Sequence, residues 1–168
     1  MTRHLIAPLL ALGALSSCGY QLVRPDVGGH RPIEVPTTVN KSTWYGLEVG
    51  MSSALRADLQ RQLDLRLVEH GGEFVLETEM IDVGRRARVA LRSGGAAVGT
   101  AELRLDWRLV ARDGTELSSG NIRRSLEFLT SLDEDETSAF LQIQAEMAEE
   151  VALEVGATLA ALAATDNP

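Results

Sequence analysis

Two groups of residues in this 168-residue chain have the chemistry of a functional site. The first is Cys18, the only cysteine, which directly follows an uncharged apolar run from Leu5 to Leu15. The second is a set of three arginines, Arg86, Arg88 and Arg92, on a stretch with the alternating pattern of a β-strand. Guanidinium groups bind phosphates through paired hydrogen bonds, so these arginines form a candidate phosphate-binding site.

The N-terminus has the pattern of a secretory signal. Residues 1–17 combine a short basic segment containing Arg3, an apolar segment and the small residues Ser16 and Ser17 before Cys18. At about eleven residues, the apolar segment is too short to remain as a membrane-spanning helix. An ordinary signal peptide that is cut near a buried cysteine is the alternative interpretation.

The sequence Leu15-Ser16-Ser17-Cys18 resembles the lipobox of bacterial lipoproteins, in which the cysteine becomes the first mature residue and carries the lipids. This resemblance implies that Cys18 is lipidated, and several acyl chains give stable membrane attachment. Gly19 stands where an aspartate usually signals inner-membrane retention, so the expected location is the outer membrane, facing the periplasm. The expected organisation is a signal peptide at 1–17, a tether at 18–32, one domain at 33–164 and a frayed end at 165–168.

Composition limits both the partners and the chemistry. The formal net charge of −8 becomes about −9 when Arg3 leaves with the signal, which argues against non-specific binding to nucleic acid. His30 and His70 have no second ligand at metal spacing, and the chain has no Gly-x-Ser-x-Gly motif. Carboxylates are favourable at a helix N-terminus, which accounts for the acidic run at 133–136. We therefore expect no enzyme, no metal and no cofactor.

Two amphipathic helices are predicted by apolar residues at helical spacing. The first has one apolar face, formed by Leu47, Met51, Leu55, Leu59 and Leu63. Its opposite face should be solvated and carries Glu48, Ser52, Arg56, Gln60 and Asp64. The second helix is longer, and its apolar face consists of Phe140, Ile143, Met147, Val151, Val155, Leu159 and Leu162.

The strands follow from alternating apolar and polar residues. Pro36 makes the segment 33–39 at best an edge strand, and 65–69 is a second short candidate. The apolar parity changes after Met80, which predicts a β-bulge near 82–84. Strands at 101–111 and 115–129 are joined by an Asp113-Gly114 hairpin. The expected fold is α+β: a two-layer sandwich with an about four-stranded, mostly antiparallel sheet and two amphipathic helices on one face.

The two tryptophans should differ in environment. Trp107 lies mid-strand among leucines and should pack beneath the helices, whereas Trp44, beside Tyr45, is expected to be exposed and available as a contact. The other face of the sheet should be polar. There, Arg104 and Arg108 and the arginine set have an alternative interpretation as cross-strand ion pairs with Glu102 and Asp106, which contribute little to stability.

With this order of elements, the chain resembles the LPS-assembly lipoprotein family (LptE). The matching stretches are 18–22 (Cys-Gly-Tyr-Gln-Leu), 33–36 (Ile-Glu-Val-Pro), 39–42 (Val-Asn-Lys-Ser), 46–48 (Gly-Leu-Glu) and the Asp113-Gly114 turn. The resemblance implies a plug held inside the outer-membrane LPS translocon barrel, LptD, which such proteins help to assemble, and possible binding of LPS. A charged sheet face is compatible with the polar lumen of a barrel.

The alternative function is an auxiliary lipoprotein of an envelope lipid-transport ABC system. That class also combines a lipobox with a small α/β domain. Co-purification with an outer-membrane barrel or with an inner-membrane ATPase complex distinguishes the two interpretations.

Overall fold

The structure, a computed structural model, describes residues 27–82, 85–89, 98–129 and 136–166. Within these ranges the chain forms seven strands and two helices that pack in two layers. The strands are β1 (Pro32–Glu34), β2 (Val39–Asn40), β3 (Arg66–Val68), β4 (Phe74–Asp82), β5 (Arg85–Val89), β6 (Val98–Ala111) and β7 (Glu116–Leu129). The helices are α1 (Leu47–Leu63) and α2 (Glu136–Asp166). Neither described helix has a stretch long and apolar enough for a membrane span.

The strands form one mixed sheet with β6 as its longest internal member. One edge of β6 pairs with β7, and its other edge pairs with β4 and then β5, all antiparallel. The far edge of β4 pairs in parallel with β1 and β2, and β1 pairs in parallel with β3. The expectation of about four mostly antiparallel strands therefore needs correction, because three short parallel pairs extend the sheet beyond β4.

Proline explains how the first strand differs from its prediction. The segment around Pro36 forms two short strands, β1 and β2, instead of one, since proline has no N–H to donate to a ladder. β1 is also an internal strand, because β3 and β4 lie on its two sides, so the edge-strand prediction was wrong for β1, whereas β2 pairs with β4 alone among the described strands. The predicted bulge is confirmed by a register shift between Met80 and Asp82 against β6. The predicted hairpin is present, with Gly114 at φ 89° in its turn.

One face of the sheet packs against both helices and forms the core. The predicted apolar face of α1 is buried from Met51 to Leu63, and that of α2 is buried from Phe140 to Leu159. The solvated face predicted for α1 is wrong at Ser52, which is buried. Its hydroxyl accepts a hydrogen bond from the Thr38 backbone N–H at 2.9 Å, so the residue joins α1 to the segment between β1 and β2.

The predicted environment is confirmed for Trp107 and is wrong for Trp44. Trp107 is 3% exposed and lies beside Gly120 of β7, where a side chain would meet the indole ring. Trp44 is half-buried, and its ring lies 5.8 Å from that of Phe140. The prediction of an exposed Trp44 is corrected accordingly, because α2 packs against it. The neighbouring Tyr45 is fully exposed.

The start of the described chain is anchored at the C-terminal end of α1. Gly28 is buried, and its backbone N–H donates to the Leu63 carbonyl at 2.8 Å. The His30 N–H donates to the Asp64 carbonyl at 3.0 Å. The signal peptide, Cys18 and the first part of the expected tether lie outside the described residues, as do 130–135 and 167–168.

Candidate functional surfaces

The polar face of the sheet is the side that the helices do not cover. Alternation along β6 places Ala101, Leu103, Leu105, Trp107 and Leu109 in the core and leaves the even-numbered residues on the opposite side. The ladder brings polar residues of β4 and β7 to the same face. Its members are Glu77, Glu79, Glu102, Arg104, Asp106, Arg108, Ser119, Asn121 and Arg123.

Opposite charges are paired across this polar face. Arg108 Nε donates to Glu77 Oε2 at 3.0 Å, and this hydrogen bond and charge raise the pKa of Arg108. Arg104 Nε lies 3.2 Å from Asp106 Oδ1 on the same strand. These contacts place both arginines in ion pairs. Arg104 has one of the expected partners, Asp106, although on its own strand, whereas Arg108 pairs with Glu77 of β4 instead.

Two further ion pairs extend the pattern to both sides of β6. Glu102 pairs with Arg123 of β7, and Lys41, next to β2, lies 2.6 Å from Glu79 Oε1. Arg123 was not among the residues that the sequence singled out. The signal that would have found it is the period-two spacing of Asn121, Arg123 and Ser125 on β7. The polar face is thus charged, and ion pairs join its strands on both sides of β6.

A shallow groove of about 480 Å³ borders the polar face beside β2. It lies between Pro36–Val39 and the Glu77 and Arg108 side of the sheet. The hydroxyl groups of Thr38, Ser52 and Thr78 form a buried cluster behind this segment, with 2.8 Å between Thr38 Oγ1 and Thr78 Oγ1. This cluster fixes the groove wall, because it ties the segment to both α1 and β4.

The predicted phosphate-binding arginines are only partly within the described residues. Arg86 and Arg88 belong to β5, and the Arg86 backbone pairs with Thr100 of β6. A register shift between Ala87 and Val89 interrupts the ladder at Arg88, so simple alternation does not extend through this strand. Arg92 and Cys18 lie outside the described ranges. Their assignment as phosphate and lipid sites remains a prediction.

A second surface, the apolar end, forms where the N-terminal ends of the two helices meet. Tyr45, Val49 and Leu141 are exposed there, at 100%, 61% and 57%. Asn40 holds the adjoining loop, since its Nδ2 donates to the Trp44 carbonyl at 2.5 Å and to Glu48 Oε2 at 2.8 Å. Backbone and side-chain hydrogen bonds lower the pKa of Glu48, the Asn40 amide being the side-chain donor.

These surfaces lie on one class of fold. The fold is a two-layer α+β sandwich with a charge-paired sheet face and an apolar end. Within 27–82, 85–89, 98–129 and 136–166, no group of His, Cys, Asp or Glu side chains has the arrangement of a metal site.

The sequence of the chain matches the model of a known protein family. The family model for lipopolysaccharide assembly, LptE, matches residues 31–159, which is more than half of the chain. The chain therefore belongs to the lipopolysaccharide-assembly family. The match covers every described strand and all of α1, as well as most of α2. No curated protein sequence is similar enough to count as a match.

Solved structures share the fold at low sequence identity. Protein CT253 from Chlamydia trachomatis has a TM-score of 0.58 at 9% identity, with 78% of this chain and 98% of that chain covered. Protein XCC0632 from Xanthomonas campestris has a TM-score of 0.57 at 11% identity, with coverages of 82% and 89%. A putative neuraminyllactose-binding hemagglutinin homolog from Helicobacter pylori reaches 0.50 at 9% identity, covering 79% and 84%. These likenesses show the fold alone.

Proposed function

We propose that this protein is an outer-membrane lipoprotein that plugs and helps to assemble the LPS translocon barrel LptD, and so supports LPS insertion. The observation that carries the proposal is the charge-paired polar face on a domain of the lipopolysaccharide-assembly family. The lumen of a large outer-membrane barrel is polar, so a compact domain with an open charged face suits it. The core lies on the other side of the sheet, beneath the helices.

The anchor and the start of the domain limit how far one end of α1 can lie from the membrane. Lipidated Cys18 would be connected to Val27 by a segment that spans at most about 30 Å when fully extended. Gly28 is held at the C-terminal end of α1. The apolar end lies at the N-terminal end of α1, about 25 Å away along a helix of this length. We infer that the tether holds the C-terminal end of α1 within about 30 Å of the lipid anchor.

The polar face supplies the test of barrel binding. Arg108→Glu replaces the ion pair with Glu77 by two like charges on the polar face. Arg112→Glu makes the same change of charge in the adjoining hairpin turn and is the matched control. We expect Arg108→Glu to reduce co-purification with LptD at least fivefold and the control to leave it unchanged. Equal recovery with both variants would show that the polar face is not the contact.

The same pull-down tests the function itself. Recovery of an inner-membrane ATPase complex in place of an outer-membrane barrel would favour the alternative, an auxiliary lipoprotein of an ABC system. Mass spectrometry of the mature N-terminus tests the anchor, and the expected result is an acylated Cys18 as the first residue. An unmodified N-terminus, or cleavage at another position, would end the lipoprotein proposal.

We further propose that Arg86, Arg88 and Arg92 bind LPS phosphates. Charge-assisted hydrogen bonds to such groups contribute roughly 1.5–3 kcal/mol each. Changing all three residues to alanine should weaken LPS binding strongly, while association with the barrel stays largely intact. If the triple variant binds LPS as well as the parent does, the arginines are not an LPS site and are only solvated, ion-paired residues.

A further inference from the structure

β7 is an unusually long strand at one margin of the sheet. It spans 14 residues from Glu116 to Leu129, and among the described strands it pairs only with β6. The opposite margin is β3, with three residues. Proteins usually shield edge strands with charged side chains (above all lysine), prolines, bulges or short length, because an open edge is a template for another strand. β7 contains neither proline nor lysine, and its charged residues are arginines and glutamates, so its charges can attract as well as repel a second strand.

The charges along β7 make its edge self-complementary. On the polar face, Arg123, which also pairs with Glu102 of β6, lies between two acidic residues of the same strand, Glu116 and Glu127. The register shift near Val110 places Glu116 opposite Val110, so Glu116 occupies the position that Leu117 would take in a regular ladder. Counted in ladder positions, with the register shift included, Glu116 and Arg123 are therefore equally far from Gly120. Arg123 and Glu127 are equally far from Ser125.

We propose that β7 pairs with β7 of a second copy of this chain, antiparallel, so that Arg123 of each copy faces a glutamate of the other. Residues opposite each other in an antiparallel pair share a face, and opposite charges there are favourable. Two registers satisfy this condition, one with its two-fold axis at Gly120 and one with its axis at Ser125. An axis at Ile122 places Glu116 opposite Glu127, and an axis at Arg123 places two arginines together, so both are disfavoured.

The flank of α2 is compatible with a neighbour at this edge. Glu150 of α2 pairs with Arg124 of β7, which places this side of the helix above the margin of the sheet. Leu153, three residues further along the same side, is 46% exposed. A second sheet continuing from β7 would bring a second α2 to this flank. The inference does not rest on the proposed function.

Disulfide trapping in the full-length chain tests the pairing and its register. Ser125→Cys should link to itself if the axis is at Ser125, and a mixture of Ser119→Cys and Asn121→Cys chains should link if it is at Gly120. The Cα separation in an antiparallel pair is about 4.5 Å or about 5.5 Å, and a disulfide can span either distance. Ser53→Cys, on the exposed side of α1, is the matched control, and the parent measures any linkage through Cys18.

We expect at least one of the two β7 experiments, Ser125→Cys alone or Ser119→Cys mixed with Asn121→Cys, to give ten times more covalent dimer than Ser53→Cys. Arg123→Glu should reduce that yield about tenfold, and adding Glu116→Arg and Glu127→Arg should restore it, whereas Arg66→Glu on β3 should have no effect. Thermal unfolding of each variant establishes that it is folded. Equal yields at β7 and Ser53, or a monomeric mass by light scattering at every concentration, would overturn the proposal. These measurements need no barrel, so failure of the β7 pairing is distinct from failure of the proposed function.

Discussion

Replacing Trp107 by alanine should strongly destabilise the domain. Its side chain is 3% exposed, and burial of an aromatic side chain removes about 150–250 Å² from water, worth roughly 4–6 kcal/mol at 25 cal/mol per Å². Two of its neighbours are small: Gly120 lies beside the ring on β7, and Thr78 is opposite on β4. Since neither can fill the space, the cavity should persist, and we expect a loss of about 4–5 kcal/mol.

The assay for Trp107→Ala is urea unfolding followed by circular dichroism. The midpoint should fall with little change in slope, and the melting temperature should fall by about 10–20 °C for a domain of this size. Trp44→Ala is the matched control, and its cost should be clearly smaller because Trp44 is only half-buried. In the parent, a soluble quencher should reach Trp44 more readily than Trp107. Equal costs for the two variants, or equal quenching of the two tryptophans, would refute the reasoning.

Two further changes test other parts of the structure. Gly99→Ala should destabilise the domain by about 1–3 kcal/mol, since a Cβ there would lie 2.3 Å from the Phe128 ring; Phe128→Leu should partly rescue it, and an unchanged urea midpoint would contradict this packing. The hydrogen bond from Arg31 holds the pKa of Glu73 below its ordinary value of 4.5, so its stabilisation is present above about pH 4.5 and is lost as the pH falls through the folded-state pKa. Unfolding measured from pH 7 to pH 3 should therefore show a smaller acid loss in Glu73→Gln than in the parent, and superimposable pH profiles would argue against this contribution.

The parts of the fold that the sequence predicted correctly are those with strong periodicity. β6 alternates over its whole length, and the apolar faces of α1 and α2 repeat at helical spacing, so burial of Leu105, Leu59 and Met147 followed directly. The parallel pairs were missed because β1, β2 and β3 have three residues or fewer. A strand of that length shows no alternation of apolar and polar residues. Its partner is decided by where the longer strands leave an edge open for pairing.

The candidate surfaces were less predictable, because they depend on which residues meet across strands. The sequence showed that Arg108 lies on a polar face, but only the ladder shows that Glu77 is its partner. Ser52 appeared solvent-facing by helical period, yet the segment between β1 and β2 covers it and supplies Thr38 as its hydrogen-bond partner. Both cases have the same physical origin. Long-range contacts override a local pattern wherever a polar side chain finds a hydrogen bond that replaces water. The helical or strand period of the sequence does not show which distant residue will supply that hydrogen bond.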